Sequence, residues 1–148
     1  MATTYPVHTE APVNIHSEQH HVLHSVQLTL RYLYGLLPIV AGADKFTNRL
    51  CYWEEYLNPA IPRLLHVTGH QFMLAVGVIE IIAGLIVFLK PRVGGMIVTL
   101  WLFGIALQLL FWGRFLDIAV RDLAMAIGGA YTLVRLTPFT EGHSLSQD

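Results

Sequence analysis

Apolar residues in this chain are gathered in four runs, each close to the length of a helix that crosses a bilayer. A hydrocarbon core about 30 Å thick needs about 20 helical residues. The runs extend from about His21 to Ala43, Thr68 to Leu89, Val93 to Trp112 and Phe115 to Leu136. The pattern predicts an all-α integral membrane protein with four transmembrane helices.

The connections between the runs predict how the helices are arranged. Lys90-Pro91-Arg92 and Gly113-Arg114 are short connections, and short connections make neighbouring helices antiparallel. We therefore expect an antiparallel four-helix bundle over residues 21–137. Residues 1–20 are predicted to be a flexible or partner-bound tail, and residues 138–148 a second tail. The long loop from Asp44 to Val67 has aromatic residues suited to the membrane–water interface, and the membrane topology stays open.

The composition supports one membrane domain and narrows its chemistry. Of the 148 residues, 54% are hydrophobic and 13% are charged, about half the charged share of a soluble protein. The lipid bilayer is therefore the first expected partner. Nucleic acid is not expected, because the sequence has no basic patch with interleaved aromatic residues. Cys51 is the only cysteine, so redox chemistry would need a quinone, another bound cofactor or a partner subunit.

One acidic residue, Glu80, lies near the middle of the apolar segment from Phe72 to Leu89. A charge at that depth costs roughly 2.5–3.5 kcal/mol, so it needs a partner or a function. Arg31 and Glu80 each lie roughly 15 Å from run ends on the same membrane side, at about 1.5 Å per residue. We therefore predict a buried Arg31–Glu80 ion pair. It is either a structural pair or a proton-relay site beside a quinone or small-substrate cavity.

Other polar positions offer weaker candidates. His66 and His70 are four residues apart, and on one helical face they could contact a haem or a pigment. Two ligands are too few for a specific metal site, so no metal is expected, and ordinary interfacial histidines are the favoured interpretation. Asp117 and Arg121 are spaced to pair along a helix. The third run is nearly bare of charge and is expected to face lipid or another subunit.

The segments Arg31-Tyr-Leu-Tyr-Gly-Leu-Leu-Pro-Ile-Val-Ala-Gly-Ala-Asp-Lys45-Phe and Ile79-Glu80-Ile-Ile-Ala-Gly-Leu resemble the DoxX-like membrane proteins. The resemblance covers roughly Leu28 to Leu136. It implies a four-helix membrane bundle in which Arg31, Lys45 and Glu80 belong to the shared core. Some members of that family are subunits of thiosulfate:quinone oxidoreductases, and others are linked to membrane redox complexes.

The resemblance and the buried charges together lead to one expected function and one alternative. We expect a quinone-linked subunit of a redox complex in the prokaryotic plasma membrane. Glu80 and Arg31 would form its polar site between runs one, two and four, with Lys45 and Asp44 at the mouth. The alternative is a structural accessory subunit of a respiratory or photosynthetic assembly, in which His66 or His70 contacts a haem or pigment. A transporter is less favoured, because four spans without an internal repeat leave little room for alternating access.

Overall fold

A computed structural model describes residues 15–141, with side-chain surroundings for residues 19–138. Every regular element in this range is helical, which confirms the all-α prediction there. The α-helices are α1 (Ile15–Asp44), α2 (Ala60–Leu65), α3 (Gly69–Leu89), α4 (Pro91–Trp112), α5 (Leu116–Met125) and α6 (Thr132–Glu141). A 3-10 turn at Trp53–Tyr56 precedes α2, and a π-helical turn at Ala126–Tyr131 joins α5 to α6.

Within residues 15–141, three helices are long and apolar enough to cross a membrane: Gln19–Asp44 within α1, together with α3 and α4. They match the first three predicted runs. The fourth run forms α5, the π-helical turn and α6, which follow one another without a break but are not among these three. Its crossing of the membrane stays a prediction.

Helix α1 begins before the predicted first span. α1 is already helical at Ile15, although the apolar pattern placed its start near His21. The polar residues before His21 can continue a helix, because helix propensity does not require apolar side chains. Residues 1–14 and 142–148, which hold the rest of the predicted tails, lie outside the described residues. α6 also continues to Glu141, beyond the predicted end of the bundle at residue 137.

Local signals explain where α3 and α4 begin. The Thr68 hydroxyl accepts from the backbone N–H of Gln71 at 3.1 Å, and the Gln71 side chain accepts from the backbone N–H of Thr68 at 3.1 Å. This reciprocal capping box satisfies amides that a helix start leaves free. Pro91 occupies the first turn of α4, where its missing N–H costs nothing, and only Lys90 separates α3 from α4. The predicted tight turn is therefore present.

Paired glycines bring α1 and α3 into backbone contact at two levels. A Cβ atom added to Gly77 would lie 2.7 Å from the Gly42 carbonyl oxygen. A Cβ atom added to Gly84 would lie 2.5 Å from the Gly35 carbonyl oxygen. Gly35 and Gly42 are seven residues apart on α1, and Gly77 and Gly84 are seven residues apart on α3. Both contacts therefore belong to the same antiparallel register. That register, continued by one turn, places Phe88 of α3 opposite residue 31 of α1.

The long helical segments pack in a closed ring. α1 packs against α3, α3 against α4, α4 against the segment formed by α5, the π-helical turn and α6, and α6 against α1. One core cluster inside this ring contains Tyr34, Val87 and Leu133. The Tyr34 hydroxyl donates to the Met125 carbonyl oxygen at 2.9 Å. The Tyr34 ring occupies the space that the side chain of any larger residue at position 129 would need, so Gly129 allows this contact. This contact joins α1 to the π-helical turn.

Candidate functional site

Glu80 forms a buried ion pair with Lys45. The Lys45 Nζ lies 2.6 Å from the Glu80 Oε2, and the two residues are 3% and 7% exposed. The other carboxylate oxygen accepts a hydrogen bond from the Trp101 Nε1 at 3.2 Å. The Lys45 Nζ also lies 3.7 Å from the centroid of the Trp53 ring. Such extra contacts are needed, because a buried pair must replace the hydration of both ions.

The predicted Arg31–Glu80 ion pair is wrong. The Arg31 Nη2 donates to the backbone carbonyl oxygen of Phe88 instead. In the register set by the glycine pairs, Arg31 lies opposite Phe88, which is eight residues, or about 12 Å, along α3 from Glu80. The prediction assumed that His21 of α1 and the end of α3 lie at the same depth in the membrane. In the structure the first half of α1 extends beyond the end of α3.

Lys45 replaces Arg31 because the chain turns at the end of α1. Lys45 follows the last residue of α1, directly beyond the closest approach of Gly42 to Gly77. A Cβ atom on Gly77 would lie 3.2 Å from the Lys45 Cβ, so the lysine stem crosses the glycine surface of α3. Sequence reasoning placed Lys45 at the mouth of the site. In the fold it is the direct partner of Glu80.

Asp44 organises the loop that covers the site. Its carboxylate accepts from the backbone N–H groups of Arg49 at 3.0 Å and Leu50 at 3.1 Å, and from the Thr47 hydroxyl at 3.1 Å. It also accepts from the Trp53 Nε1 at 2.8 Å. Asp44 therefore holds the indole that lies against the Lys45 ammonium. Its predicted contact with a cofactor stays a prediction, and these bonds give it a positioning role.

His66 and His70 do not share a helical face, contrary to the prediction. His66 ends α2 in the left-handed conformation, with φ 56°, and the chain becomes extended at Thr68 before α3 begins. His70 lies in the first turn of α3, and its Nδ1 is 3.1 Å from the Glu54 Oε1. Both histidines are exposed and lie outside the cavity described next. A haem or pigment contact through either one stays a prediction.

A cavity of about 510 Å³ adjoins the ion pair. Its volume is in the range that accommodates a small organic ligand. The cavity lies between the loop, α3, α4 and α5, whereas the sequence predicted one between runs one, two and four. Most of its lining is apolar or aromatic, with Trp53, Tyr56, Phe72 and Trp101 as the large rings. Apolar walls with a few convergent polar groups are typical of ligand sites.

A second charged pair lines the cavity from α5. Asp122 is 5% exposed, and its Oδ1 lies 3.4 Å from the Nη2 of the more exposed Arg121. The structure thus pairs Arg121 with Asp122 rather than with Asp117 as predicted. Glu80 and Asp122 both line the cavity, so two carboxylates face one apolar space. Asp122 is seven residues into the fourth run, and no spacing in the sequence indicates that it and Glu80 line the same cavity.

Helix α4 contributes more to the site than its apolar sequence suggested. The Gln108 Nε2 donates to the Tyr56 carbonyl oxygen at 2.9 Å, and its Oε1 accepts from the Asn58 N–H at 3.3 Å. These two bonds hold the loop against α4. Trp101 and Gln108 are seven residues apart, so they share one helical face. That spacing is the feature of the sequence that could have indicated their common role in the site. The prediction that the third run faces lipid or another subunit therefore fits only the side of α4 that points away from the cavity.

Cys51 also lines the cavity and gives a pH-dependent reporter. Burial, and then the nearby Asp44 carboxylate, raise the pKa of the Cys51 thiol above its ordinary value, although Lys45 and Arg121 oppose the shift. Because the thiolate is the reactive form, N-ethylmaleimide should alkylate Cys51 more slowly than glutathione at neutral pH. The pH at which the alkylation rate of Cys51 reaches half of its maximum should also be higher than the corresponding pH for glutathione. A midpoint at or below that of glutathione would contradict the expected shift.

No family model, curated protein or solved structure matches this chain. The site is therefore interpreted from its own geometry. That geometry combines a buried Lys45–Glu80 ion pair, aromatic walls and a second carboxylate at Asp122 around one cavity. An apolar planar molecule with hydrogen-bond acceptors fits these surroundings, since the rings offer stacking surfaces and the ammonium offers a donor.

Proposed function

We propose that this chain is a DoxX-like integral membrane subunit of a redox complex and that it binds a quinone in the cavity. The observation that carries the proposal is the Lys45–Glu80 pair at the wall of an apolar, aromatic cavity. The resemblance of the segments around Lys45 and Glu80 to the DoxX-like proteins supports the redox setting. The Lys45–Glu80 pair takes the role that the sequence gave to Arg31 and Glu80.

The residues of the cavity suit a quinone ring in three ways. Ring carbonyl oxygens accept hydrogen bonds, and the Lys45 ammonium is a donor beside the cavity. Trp53 and Trp101 provide flat apolar surfaces. A quinone held there would supply two-electron redox chemistry, with two electrons from a redox centre of a partner subunit and two protons that reach it past the ion pair. Lys45 would donate a hydrogen bond to a ring oxygen, and the Glu80 carboxylate beside it would relay protons from the loop side, as expected of an ionisable group that faces a cavity in a membrane.

The proposal includes a complete four-helix transmembrane bundle. α5, the π-helical turn and α6 together cover 26 residues, from Leu116 to Glu141, which is enough to cross a hydrocarbon core about 30 Å thick. The segment closes the ring against α1 and α4. Its charged residues Asp117, Arg121 and Asp122 lie in its first turns, where the long Arg121 side chain can reach the interface. The chain would then have both ends on one side of a prokaryotic plasma membrane.

Replacing Glu80 tests the proposed quinone site. Glu80→Gln keeps the side-chain shape but removes the charge that faces Lys45 and the carboxylate that would relay protons. We expect protein extracted in mild detergent to lose most of its quinone in this variant, by roughly tenfold, which corresponds to about 1.4 kcal/mol of binding free energy. The measurement is quinone per mole of purified protein, by extraction and mass analysis.

The matched control is Glu55→Gln, which makes the same substitution at an exposed loop residue outside the cavity lining. It should keep the quinone content of the unaltered protein. Equal quinone content in the Glu80→Gln and Glu55→Gln proteins would contradict the proposed site. Absence of quinone from the unaltered protein after the same extraction would do so as well.

A structural accessory role is the second candidate, and the length of α1 favours it. The first half of α1 extends past the end of α3 and exposes apolar residues such as Val22 and Val26. Such a surface can bind another subunit. Recovery of a large assembly without quinone, and release of this chain from it when residues 1–20 are deleted, would favour this role.

A further inference from the structure

Helices α3 and α4 are closest at the Lys90 turn and leave a cleft further along. At the turn, a Cβ atom on Gly94 would overlap the backbone of Val87, so the two helices touch. Further from the turn, the Trp101 side chain reaches between them to Glu80. Loop residue Leu57 packs with Met73 and Val76 at the far end. The cavity lies in this cleft, with the loop as its cover.

Among the side chains of residues 19–138, none covers one edge of the cleft. Leu100 and Gly104 both line the cavity, yet both are exposed, Leu100 by 67%. Apart from its chain neighbours and the nearby backbone of α4, no heavy atom of the described residues lies within 4 Å of the position that a Cβ atom on Gly104 would take. Gly104 lies between Trp101 and Gln108 on one helical face, which is the face of α4 directed at α3 and the loop. The cavity is therefore open beside Gly104.

The depth of this opening determines what can pass through it. Gly104 is eight residues before Trp112, so it lies about 12 Å inside the end of α4. In a hydrocarbon core about 30 Å thick, that position is among the acyl chains. The opening is also one helical turn from Trp101, which binds Glu80. A polar head beside the ion pair could therefore extend an apolar tail directly into lipid.

We infer that Gly104 forms a lateral opening to the bilayer, through which the cavity takes a membrane-dissolved ligand with a polar ring and an apolar tail. This inference rests on the proposed quinone site and deepens it by naming the route and the tail. The ligand enters from lipid rather than from water. Its ring lies against Lys45 and Glu80, and its tail leaves beside Leu100 and Gly104.

The test closes the opening with Gly104→Leu and uses Gly128→Leu as the matched control. Gly128 also has open space around its Cβ position, but it does not line the cavity. Cys51, the only cysteine, reports occupancy through its rate of alkylation by N-ethylmaleimide. The probes are decylubiquinone, which has an apolar tail, and duroquinone, which has none, each added to protein in lipid nanodiscs.

We expect decylubiquinone to slow Cys51 alkylation in the unaltered protein and in the Gly128→Leu variant. The Gly104→Leu variant should need a roughly tenfold higher decylubiquinone concentration for the same protection, which corresponds to a loss of about 1.4 kcal/mol of binding free energy. Duroquinone should protect Cys51 equally in all three proteins, which also shows that the Gly104→Leu cavity is intact. Equal protection by decylubiquinone in all three proteins would overturn the lateral opening and leave the quinone site standing.

Two other results separate the inference from the proposed function. No protection by either quinone, even in the unaltered protein, would overturn both. If the Gly104→Leu variant instead loses a co-purifying phospholipid that the Gly128→Leu variant keeps, the lateral opening is supported and the quinone assignment is wrong. Mass analysis of the extracted lipids distinguishes these cases.

Discussion

Lys45→Met is expected to lower the free energy of unfolding by about 3–5 kcal/mol, because it leaves the Glu80 carboxylate buried without its counter-charge. Met has a similar length and no charge, so the change removes the ion pair while most of the packing remains. Trp101 still donates to Glu80, but one neutral hydrogen bond does not replace an ammonium. The measurement is reversible unfolding in mixed micelles with increasing dodecyl sulfate.

A double-mutant cycle shows which cation is the partner of Glu80. Combining Lys45→Met with Glu80→Gln should recover much of the lost stability, because no uncompensated charge remains. The expected coupling between these positions is about 2 kcal/mol or more, as for residues in direct contact. The control cycle pairs Arg31→Met with Glu80→Gln, whose coupling should be below about 0.5 kcal/mol, because the residues lie roughly 12 Å apart along the bundle. Similar coupling in both cycles would contradict the observed pairing.

Gly77→Ala should also destabilise the protein strongly, by about 1–3 kcal/mol, because it overfills the α1–α3 contact. The new methyl group would lie 2.7 Å from the Gly42 carbonyl oxygen, and a backbone atom cannot move away as a side chain can. The two helices would have to separate. Since Lys45 and Glu80 lie on those helices next to the contact, separation would also weaken their ion pair.

The control for this substitution is Gly104→Ala, since within the described part of the chain its Cβ position meets no heavy atom within 4 Å beyond its neighbours and the nearby backbone of α4. There the change should leave the unfolding free energy unchanged or raise it by up to about 1 kcal/mol, because alanine favours the helix over glycine. Both variants are compared in the same denaturation series. A Gly77→Ala protein as stable as the Gly104→Ala protein would show that the helices do not meet at Gly42 and Gly77.

Hydrophobic patterning was sufficient to predict that the described residues are helical and where the three membrane-length helices lie. The run lengths located α3 and α4 almost to the residue, because Thr68 with Gln71, Pro91 and Gly113 are local start and stop signals. The same reasoning located the apolar span of α1 but not its helical start at Ile15. Residues 15–20 are polar enough to leave the apolar pattern while remaining helical. Such boundaries depend on where a neighbouring helix ends, which no local signal records.

The sequence by itself determined that Glu80 lies within an apolar helix and must have a compensating partner, since burying an unpaired charge is costly wherever it occurs. Only the tertiary structure decided that the partner is Lys45 and not Arg31. The register of α1 on α3 comes from glycine backbones in contact at Gly42 and Gly77, and depth along a single helix cannot reveal it. The cavity likewise depends on the splay of α3 from α4, because a space between helices is a property of their packing and not of any one segment.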